Sequence, residues 1–456
     1  MTAPAADPRS FSAPSVAAGT TGTTGTRAGI PSTTDLPRVL VLTLGTLGVV
    51  ALGLELLGAP LSQPLLILWG GGALLAAACP TARRVVAIGV GAAALALLHP
   101  RFSLYFLALL LALLASHRKA LPFAGALLAA AIVWPKLAFI GRYHQPTFWS
   151  WLHEPSLALA LFAGALWLRT RAGARRDGGT AVGDDPLSFL LMFLLPTQVT
   201  HPMVIQPVLL AQPPRIDTRA MVTQLGWWAV KVGALLALAQ LDRTVGPVNL
   251  ANLAPHHVLD LSRAQLWLAV ATSYVRTYLL LAAAQDVPIL VARLYGFALP
   301  APFRAPLLAC SPVELWRRWG IYNRKFLLDL VYFPLGGRRH QYRNVVLTFL
   351  ASALIMHSGW FGSKYLEVGV GGWRDQSLYF LLQAAAVCAC LFVWNRRGVC
   401  PPATLSLLSD WTFARLLGVV ATQAWSALVH VLILAQGLSL LQRGHLVARC
   451  LGLGRH

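Results

Sequence analysis

The side chains best suited to chemistry crowd into residues 311–360. Trp316, Arg317, Arg318 and Trp319 follow a Ser311-Pro312-Val313-Glu314 start, and Tyr322, Asn323, Arg324 and Asp329 come soon after. Pro334-Leu335-Gly336-Gly337 makes a turn, and Arg338, Arg339 and Arg343 form a basic cluster beside Asn344. An uncharged run, residues 345–356, then ends on a lone histidine, His357. Polar groups are costly near lipid, so such a stretch inside an apolar chain is a functional site by default. Neutral imidazole suits general-base work near neutral pH, and apolar surroundings keep it neutral. The arginines suit a phosphate-bearing headgroup or cofactor, or equally a positive cytoplasmic loop. On spacing alone, His357 fits a base or a satisfied structural residue.

These side chains need scaffolding, and the local sequence supplies it. Ser311 before Pro312 reads as a helix start: serine caps, proline is tolerated at the first position, and Glu314 suits the positive end of the helix dipole. A single amphipathic helix running on through Gly320 pairs Glu314 with Arg318, sets Trp316 and Trp319 on one face, Arg317 with Arg324, and Gly320 with Asn323. Glycine inside a helix costs roughly 1 kcal/mol relative to alanine, so close approach of a substrate or another helix is expected at Gly320. A helix of this kind lies at a membrane interface or lines a cavity.

The surrounding chain is apolar. Of 456 residues, 57% are hydrophobic and only 12% charged, against about 25% charged in soluble domains. Apolar runs recur along the whole length, which predicts an all-α polytopic membrane protein rather than a barrel. The net charge of +21 does not signal nucleic acid. The basic residues sit in short loops between apolar runs, the positive-inside distribution, which also attracts anionic headgroups. Residues 1–36, rich in Ala, Ser, Thr, Gly and Pro, lack the apolar core of a secretory signal and are expected to be disordered. Cys388 and Cys390 lie in an apolar run and read as small buried hydrophobes. His256, His257 and Asp260 fall in a polar loop, and no metal site is expected there. The zinc-protease, phosphate-loop and nucleophile-elbow motifs do not occur.

Apolar runs at residues 39–57, 65–78, 85–98, 104–115, 121–133 and 157–168 precede a proline-broken segment, 190–213. Such a segment survives in a membrane only where protein or a water-filled cavity covers its backbone. Further runs follow at 227–241, 266–284, 289–299, 345–356, 378–394 and 413–441. Together they predict roughly 9–12 spans with re-entrant or broken segments. Basic loops follow the second, fourth and sixth runs, at Arg83-Arg84, Arg118-Lys119 and Arg169 to Arg176, which predicts a cytoplasmic N-terminus.

One block of residues resembles a known family. Arg304-Ala305-Pro306-Leu307-Leu308-Ala309-Cys310-Ser311-Pro312-Val313-Glu314-Leu315-Trp316-Arg317-Arg318-Trp319, then Leu328-Asp329, Tyr332, Pro334-Leu335-Gly336-Gly337, Asn344 and His357, are similar to the membrane-bound O-acyltransferases. The likeness is greatest to the bacterial branch of alginate O-acetylation and teichoic-acid D-alanyl transfer. Asp286 and Val291-Ala292-Arg293-Leu294-Tyr295-Gly296-Phe297 extend it upstream.

The resemblance implies a catalytic core at residues 187–360, between N-terminal helices 37–186 and C-terminal helices with a short tail at 361–456, around a central tunnel. It implies acyl transfer from a thioester, acyl-CoA or an acyl carrier protein, to a hydroxyl of a glycan, lipid or small molecule, with no bound cofactor. His357 is then the base, Asn323 or Tyr322 stabilises the oxyanion, and Arg317, Arg318 and Arg338 meet the donor's phosphates. Trp316, Trp319, Asp329 and Asn344 complete the expected substrate-binding set. Membrane lipid, the thioester donor, and a carrier or extracytoplasmic protein are the implied partners, in a bacterial plasma membrane. This sequence departs from the family pattern at Gly320, where a histidine is usual, at Met356, where Trp is usual, and at Ser358, where Gly is usual. The departures leave open a non-catalytic scaffold or lipid-binding paralogue, and the broken segment leaves open a transporter of a lipid-linked glycan.

Overall fold

The computed structural model of the chain describes residues 36–58, 61–98, 186–196, 205, 207–210, 215–245, 250, 260–357, 373–397, 412–435 and 438–453. Helices in chain order are α1 (Leu36–Leu56), α2 (Gln63–Ala78), α3 (Arg83–Leu98), α4 (Pro186–Leu194), α5 (Thr218–Val245) and α6 (Arg263–Leu294). They continue with α7 (Pro312–Arg318), α8 (Ile321–Leu327), α9 (Gln341–His357), α10 (Trp373–Arg397), α11 (Phe413–Leu434) and α12 (Leu440–Cys450). Among the described residues there is no strand.

Six of these segments are long and apolar enough to cross a membrane: Pro37–Leu56, Pro80–Leu97, Thr218–Thr244, Arg263–Leu294, Asp375–Arg397 and Phe413–Leu434. The protein is therefore an integral, polytopic helical membrane protein, as expected. The runs at 104–115, 121–133 and 157–168, the metal-like pair His256-His257, and residues 1–35 lie outside the described residues. At 16 residues, α2 reaches only about 24 Å, short of a hydrocarbon core of about 30 Å.

Three expectations change. The run at 266–284 and the first part of the run at 289–299 belong to one helix, α6, which continues through Pro288 and ends at Leu294. The polar break between them is Asp286, fully buried and ion-paired to Lys231 on α5, so its charge is met inside the bundle rather than in a loop. The run at 413–441 divides after Leu434, because Ser439 and Gln442 form a reciprocal capping box that starts α12. The presumed single helix through Gly320 also divides, as described below.

Lipid gives helices no hydrophobic reason to associate, so contact depends on close fit and hydrogen bonds. At Gly91 on α3, a Cβ would collide with the backbone of Leu194, so glycine is what lets α3 and α4 touch. The indole of Trp69 on α2 donates to the Pro196 carbonyl at 3.0 Å, and the Tyr295 hydroxyl donates to the Trp69 carbonyl at 3.1 Å. Trp228 on α5 donates to the Ala283 carbonyl of α6 at 3.0 Å. These bonds fix the N-terminal helices against α6, the longest of the described helices, whose end leads into the polar block. Val41 and Leu44 on α1 and Trp227 and Val230 on α5 remain exposed, as lipid-facing positions do.

Candidate active site

The polar block folds as two short helices at an angle. Ser311 caps α7, its hydroxyl accepting from the Glu314 amide at 3.1 Å, with Pro312 in the first turn. Glu314 accepts the Cys310 amide at 2.8 Å and thiol at 2.9 Å, and Arg318 Nε and Nη2 at 3.0 and 2.5 Å. Burial alone would raise this carboxyl, but the Cys310 and Arg318 hydrogen bonds outweigh it and hold it below the ordinary range. Burial also pushes the Cys310 thiol up to about 11.

After Trp319 the chain turns at Gly320, whose φ of +51° is left-handed. Backbone bonds from Arg304 to the Arg318 carbonyl (3.0 Å) and from Ile321 to the Pro302 carbonyl (2.9 Å) hold the bend. Gly320 therefore starts α8 rather than lying inside a helix. Its glycine answers a backbone requirement, and no close approach demands it: an added Cβ would meet nothing nearer than Asn323 Nδ2 at 3.9 Å.

The bend sets Trp319 in an aromatic box. Its ring lies against Tyr274 (6.5 Å between centroids), Tyr278 (5.8 Å), Phe303 (5.4 Å) and His430 (6.3 Å). Trp316 packs edge-on to Phe349 at 5.0 Å and bonds the Gln383 carbonyl oxygen through its indole at 3.3 Å.

The expected substrate-binding residues divide by use. Arg318 is wholly buried and its guanidinium is engaged by Glu314 and by the Arg304 and Ala305 carbonyls, so it builds the bend. Tyr322 is buried, donating to the Pro300 carbonyl at 2.7 Å, and burial raises its phenol. Asn344 is buried and donates to Leu335 and Gly337 carbonyls at 3.1 and 2.8 Å, pinning the Pro334–Gly337 turn. Asp329 lies in a π-helical turn, Leu328–Tyr332, and pairs with Lys325 at 2.8 Å.

Arg317 and Arg324, by contrast, make a positive centre with Arg304. Burial, then the charges of Arg317 and Arg304, lowers Arg324 to about 10 against the pull of Asp329. Arg324 Nε is buried without a hydrogen-bond partner among the described residues. Arg338 and Arg339 are exposed in the turn Gly337–His340.

His357 is the last residue of α9. α9 runs antiparallel to α10: Asn395 bonds the Tyr342 hydroxyl at 3.1 Å, whereas Phe349 meets Phe380 further along. The basic residues Arg338, Arg339, Arg343, Arg396 and Arg397 thus gather at one end of this pair, and His357 stands at the other. From Arg343 to His357 is roughly 21 Å by helical rise.

Sequence reasoning missed a buried polar seam. His430 on α11 donates from Nδ1 to the Ser426 carbonyl at 2.7 Å. Because that nitrogen must carry the proton, Nε2 accepts from the Tyr379 hydroxyl at 3.3 Å. Gln376 and Gln383 on α10 are fully buried; Gln383 accepts from Trp316 and faces the Tyr379 hydroxyl, whereas the amide atoms of Gln376 have no hydrogen-bond partner among the described residues. An unpaired buried amide group costs about 1–3 kcal/mol. The available signal was a lone histidine in an apolar run, the same one that marked His357.

A polytopic helical membrane protein with this bent tryptophan–arginine block has counterparts among O-acetyltransferases. The chain is 28% identical over 140 residues to the peptidoglycan O-acetyltransferase of Helicobacter pylori, covering 30% of this chain and 26% of that protein. It is 30% identical over 132 residues to the probable alginate O-acetylase AlgI of Azotobacter vinelandii (28% and 26% covered). It is also 30% identical over 136 residues to that of Pseudomonas aeruginosa (28% and 25%). These relatives bear out the resemblance to membrane-bound O-acyltransferases. The matched part spans about a quarter of the length of the curated relatives. No family model matches the chain.

Proposed function

We propose that the protein is a membrane O-acyltransferase, moving an acyl group from a thioester to a hydroxyl. The observation that carries this reading is the similarity to proteins named as O-acetyltransferases of peptidoglycan and alginate, and those names favour a glycan hydroxyl as acceptor. His357 removes the hydroxyl proton as the oxygen attacks the thioester carbonyl. The tetrahedral oxyanion collapses, the C–S bond breaks, and the thiolate leaves with the proton returned by the imidazolium. Asn323, half-buried beside the bend, donates to the oxyanion.

Arg317 and Arg324, with Arg338 nearer the basic end, meet the donor's phosphates, and Trp316 and Trp319 wall the acyl path. Arg318, Tyr322 and Asn344 hold the frame. The arginine-rich end of α9 and α10 faces the cytoplasm by the positive-inside rule, so the donor, acyl-CoA or an acyl carrier protein, enters there and the acceptor comes from the opposite face through a tunnel. The N-terminus is cytoplasmic, in a bacterial plasma membrane, and an extracytoplasmic protein relays the acyl group or presents the acceptor.

Gly320 favours one other reading, a non-catalytic scaffold, because the family's histidine is absent there. Consumption of radiolabelled acetyl-CoA, or of an acyl carrier protein, by the purified chain in nanodiscs separates the two. The wild type is expected to turn over, and His357→Ala to lose roughly a hundredfold or more with an unchanged melting temperature. A wild type that consumes neither donor supports the scaffold, and a His357→Ala variant that keeps its turnover removes His357 as base.

A further inference from the structure

The C-terminal helix α12 has three distinct faces. Arg443, Leu446 and Cys450 share one and are buried. Leu440, Gly444, Ala448 and Leu451, spaced by four, four and three, share the next, with Leu441 at its edge. Gln442, His445 and Arg449, spaced by three and four, make a polar face beyond it. Leu440 and Leu451 are half exposed, and Leu441 (78%) and Leu453 (79%) are the two most exposed large hydrophobic side chains among the described residues. The helix contains no acidic residue. A soluble helix turns its leucines in and its charges out. Here Arg443 points inward, with its Nε donating to the Leu438 carbonyl at 2.9 Å, and the leucines point out.

Three membrane-spanning segments end against this helix. Asp375, the first residue of the α10 span, pairs with Arg443 at 2.7 Å. The carbonyl of Leu432, in the last turn of the α11 span, also accepts from Arg443. Arg263, the first residue of the α6 span, and Trp267, one turn further on, donate to the Cys450 carbonyl at 3.2 and 2.9 Å. Arg449 donates back to the Leu261 carbonyl. Both ends of α12 therefore meet the level at which spans start and stop, so its axis runs along the membrane surface rather than across it. That level is the one at which α9 ends in His357, opposite the basic residues. Tryptophan with its N–H satisfied is the usual anchor at such a depth.

What covers the leucine face follows from its size and its neighbours. Leu268 on α6, beside Trp267, is also exposed, so the face continues the lipid-facing surface of the bundle. With 11 residues, α12 is about 16 Å long. Its leucine face offers on the order of 200 Å², against about 800 Å² per partner in a stable protein interface. A second copy of the chain needs more than that, whereas lipid sets no minimum. An apolar face beside a polar, basic one is the pattern of a helix lying in a membrane interface. We propose that α12 is such a helix: Leu440, Leu441, Leu451 and Leu453 seat among the acyl chains of the leaflet on the His357 side, and Gln442, His445 and Arg449 face the headgroups and water. Through Arg443 and Asp375 this seat also holds the first turn of α10. The inference stands apart from the acyl-transfer reading, because it concerns a surface and not the chemistry.

The test places the photo-crosslinking residue p-benzoylphenylalanine at Leu441, at Leu453 or at His445 of the full chain, in nanodiscs of phosphatidylethanolamine and phosphatidylglycerol with tritiated acyl chains. The same residue in place of Val41 on α1, an exposed position on a membrane span, gives the reference for lipid contact. After irradiation, lipid radioactivity on the chain at the Leu441 and Leu453 sites is expected within about twofold of the Val41 reference, and at the His445 site at least about fivefold below it. Matching size-exclusion profiles check that each protein is folded. Because Leu453 lies beyond the helix, it reports even if a bulky residue at Leu441 disturbs the fold. The proposal falls if Val41 labels while Leu441 and Leu453 do not, since the leucine face then meets water. It falls equally if His445 labels as strongly as Leu441, since the helix then has no lipid side. Crosslinking at Leu441 or Leu453 that gives a band of twice the chain's mass in place of lipid adducts overturns it as well, and assigns the face to a second copy.

Discussion

Glu314 and Gln376 occupy similar places: each is a buried polar side chain in the first turn of a helix of the same bundle. Their surroundings differ. Glu314 accepts from Cys310 and Arg318, whereas among the described residues Gln376 has no hydrogen-bond partner for either amide atom. The first region closes its polar groups on itself and so fixes the bend that presents Trp316 and Trp319. The second leaves its groups open. Burial of a polar residue does not therefore say what it is for, and the completeness of its hydrogen bonding does. By that measure Glu314 and Arg318 are framework, whereas Gln376, like Arg324 Nε within the polar block, keeps unmet hydrogen-bonding capacity among the described residues.

The strongest way to break this comparison is to open the closed region. Arg318→Met leaves Glu314 buried beside Cys310 without its main counter-charge, with Arg415 no nearer than 3.9 Å. Breaking a buried pair from one side costs about 3–5 kcal/mol, so this variant is expected to melt far below the wild type, or not to be recovered folded, in fluorescence-detected size-exclusion chromatography. Near-normal melting would mean that Glu314 finds another partner and that the frame is not closed. Tyr322→Phe is a milder version. It removes the donor to the Pro300 carbonyl, and an unsatisfied buried acceptor costs about 1–3 kcal/mol. Melting should fall measurably while acetyl-CoA turnover per folded molecule stays within about twofold. A large loss of turnover at normal stability would instead return Tyr322 to the substrate site.

What could be read in advance follows the same division. The start of α7 was legible because it is local: Ser311, Pro312, Glu314 and Arg318 lie within eight residues, Ser311 accepting from the Glu314 amide and Glu314 from Arg318, as propensity and capping rules anticipate. Continuity of α6 was not, because Asp286 reads as an interruption until Lys231, on another helix, is placed beside it. The seam was not legible either. Gln383 meets Trp316, and Tyr379 meets His430, across 67 and 51 residues of sequence, and no local rule pairs them. The bend failed for a subtler reason: a glycine in an apparent helix looks the same in sequence whether it is tolerated there or required by a left-handed turn.

Gly320 gives the finest test, because frame and site meet there. The bulk expected to exclude a larger side chain is absent: a Cβ would stand in open space 3.9 Å from Asn323 Nδ2. The obstacle is the backbone, since a φ of +51° costs an L-residue about 1–2 kcal/mol. Gly320→Ala and Gly320→His should therefore destabilise the protein alike, by about 1–2 kcal/mol in denaturant or thermal unfolding. If bulk mattered, the histidine variant alone would suffer. For chemistry, an imidazole at this point would stand next to Asn323. If Asn323 already serves as oxyanion donor, Asn323→Ala should lower turnover by about tenfold or more, and Gly320→His should leave turnover unimproved. A Gly320→His variant that turns over faster, with Asn323→Ala silent, would mean that the bend once held a catalytic side chain and now only holds its shape.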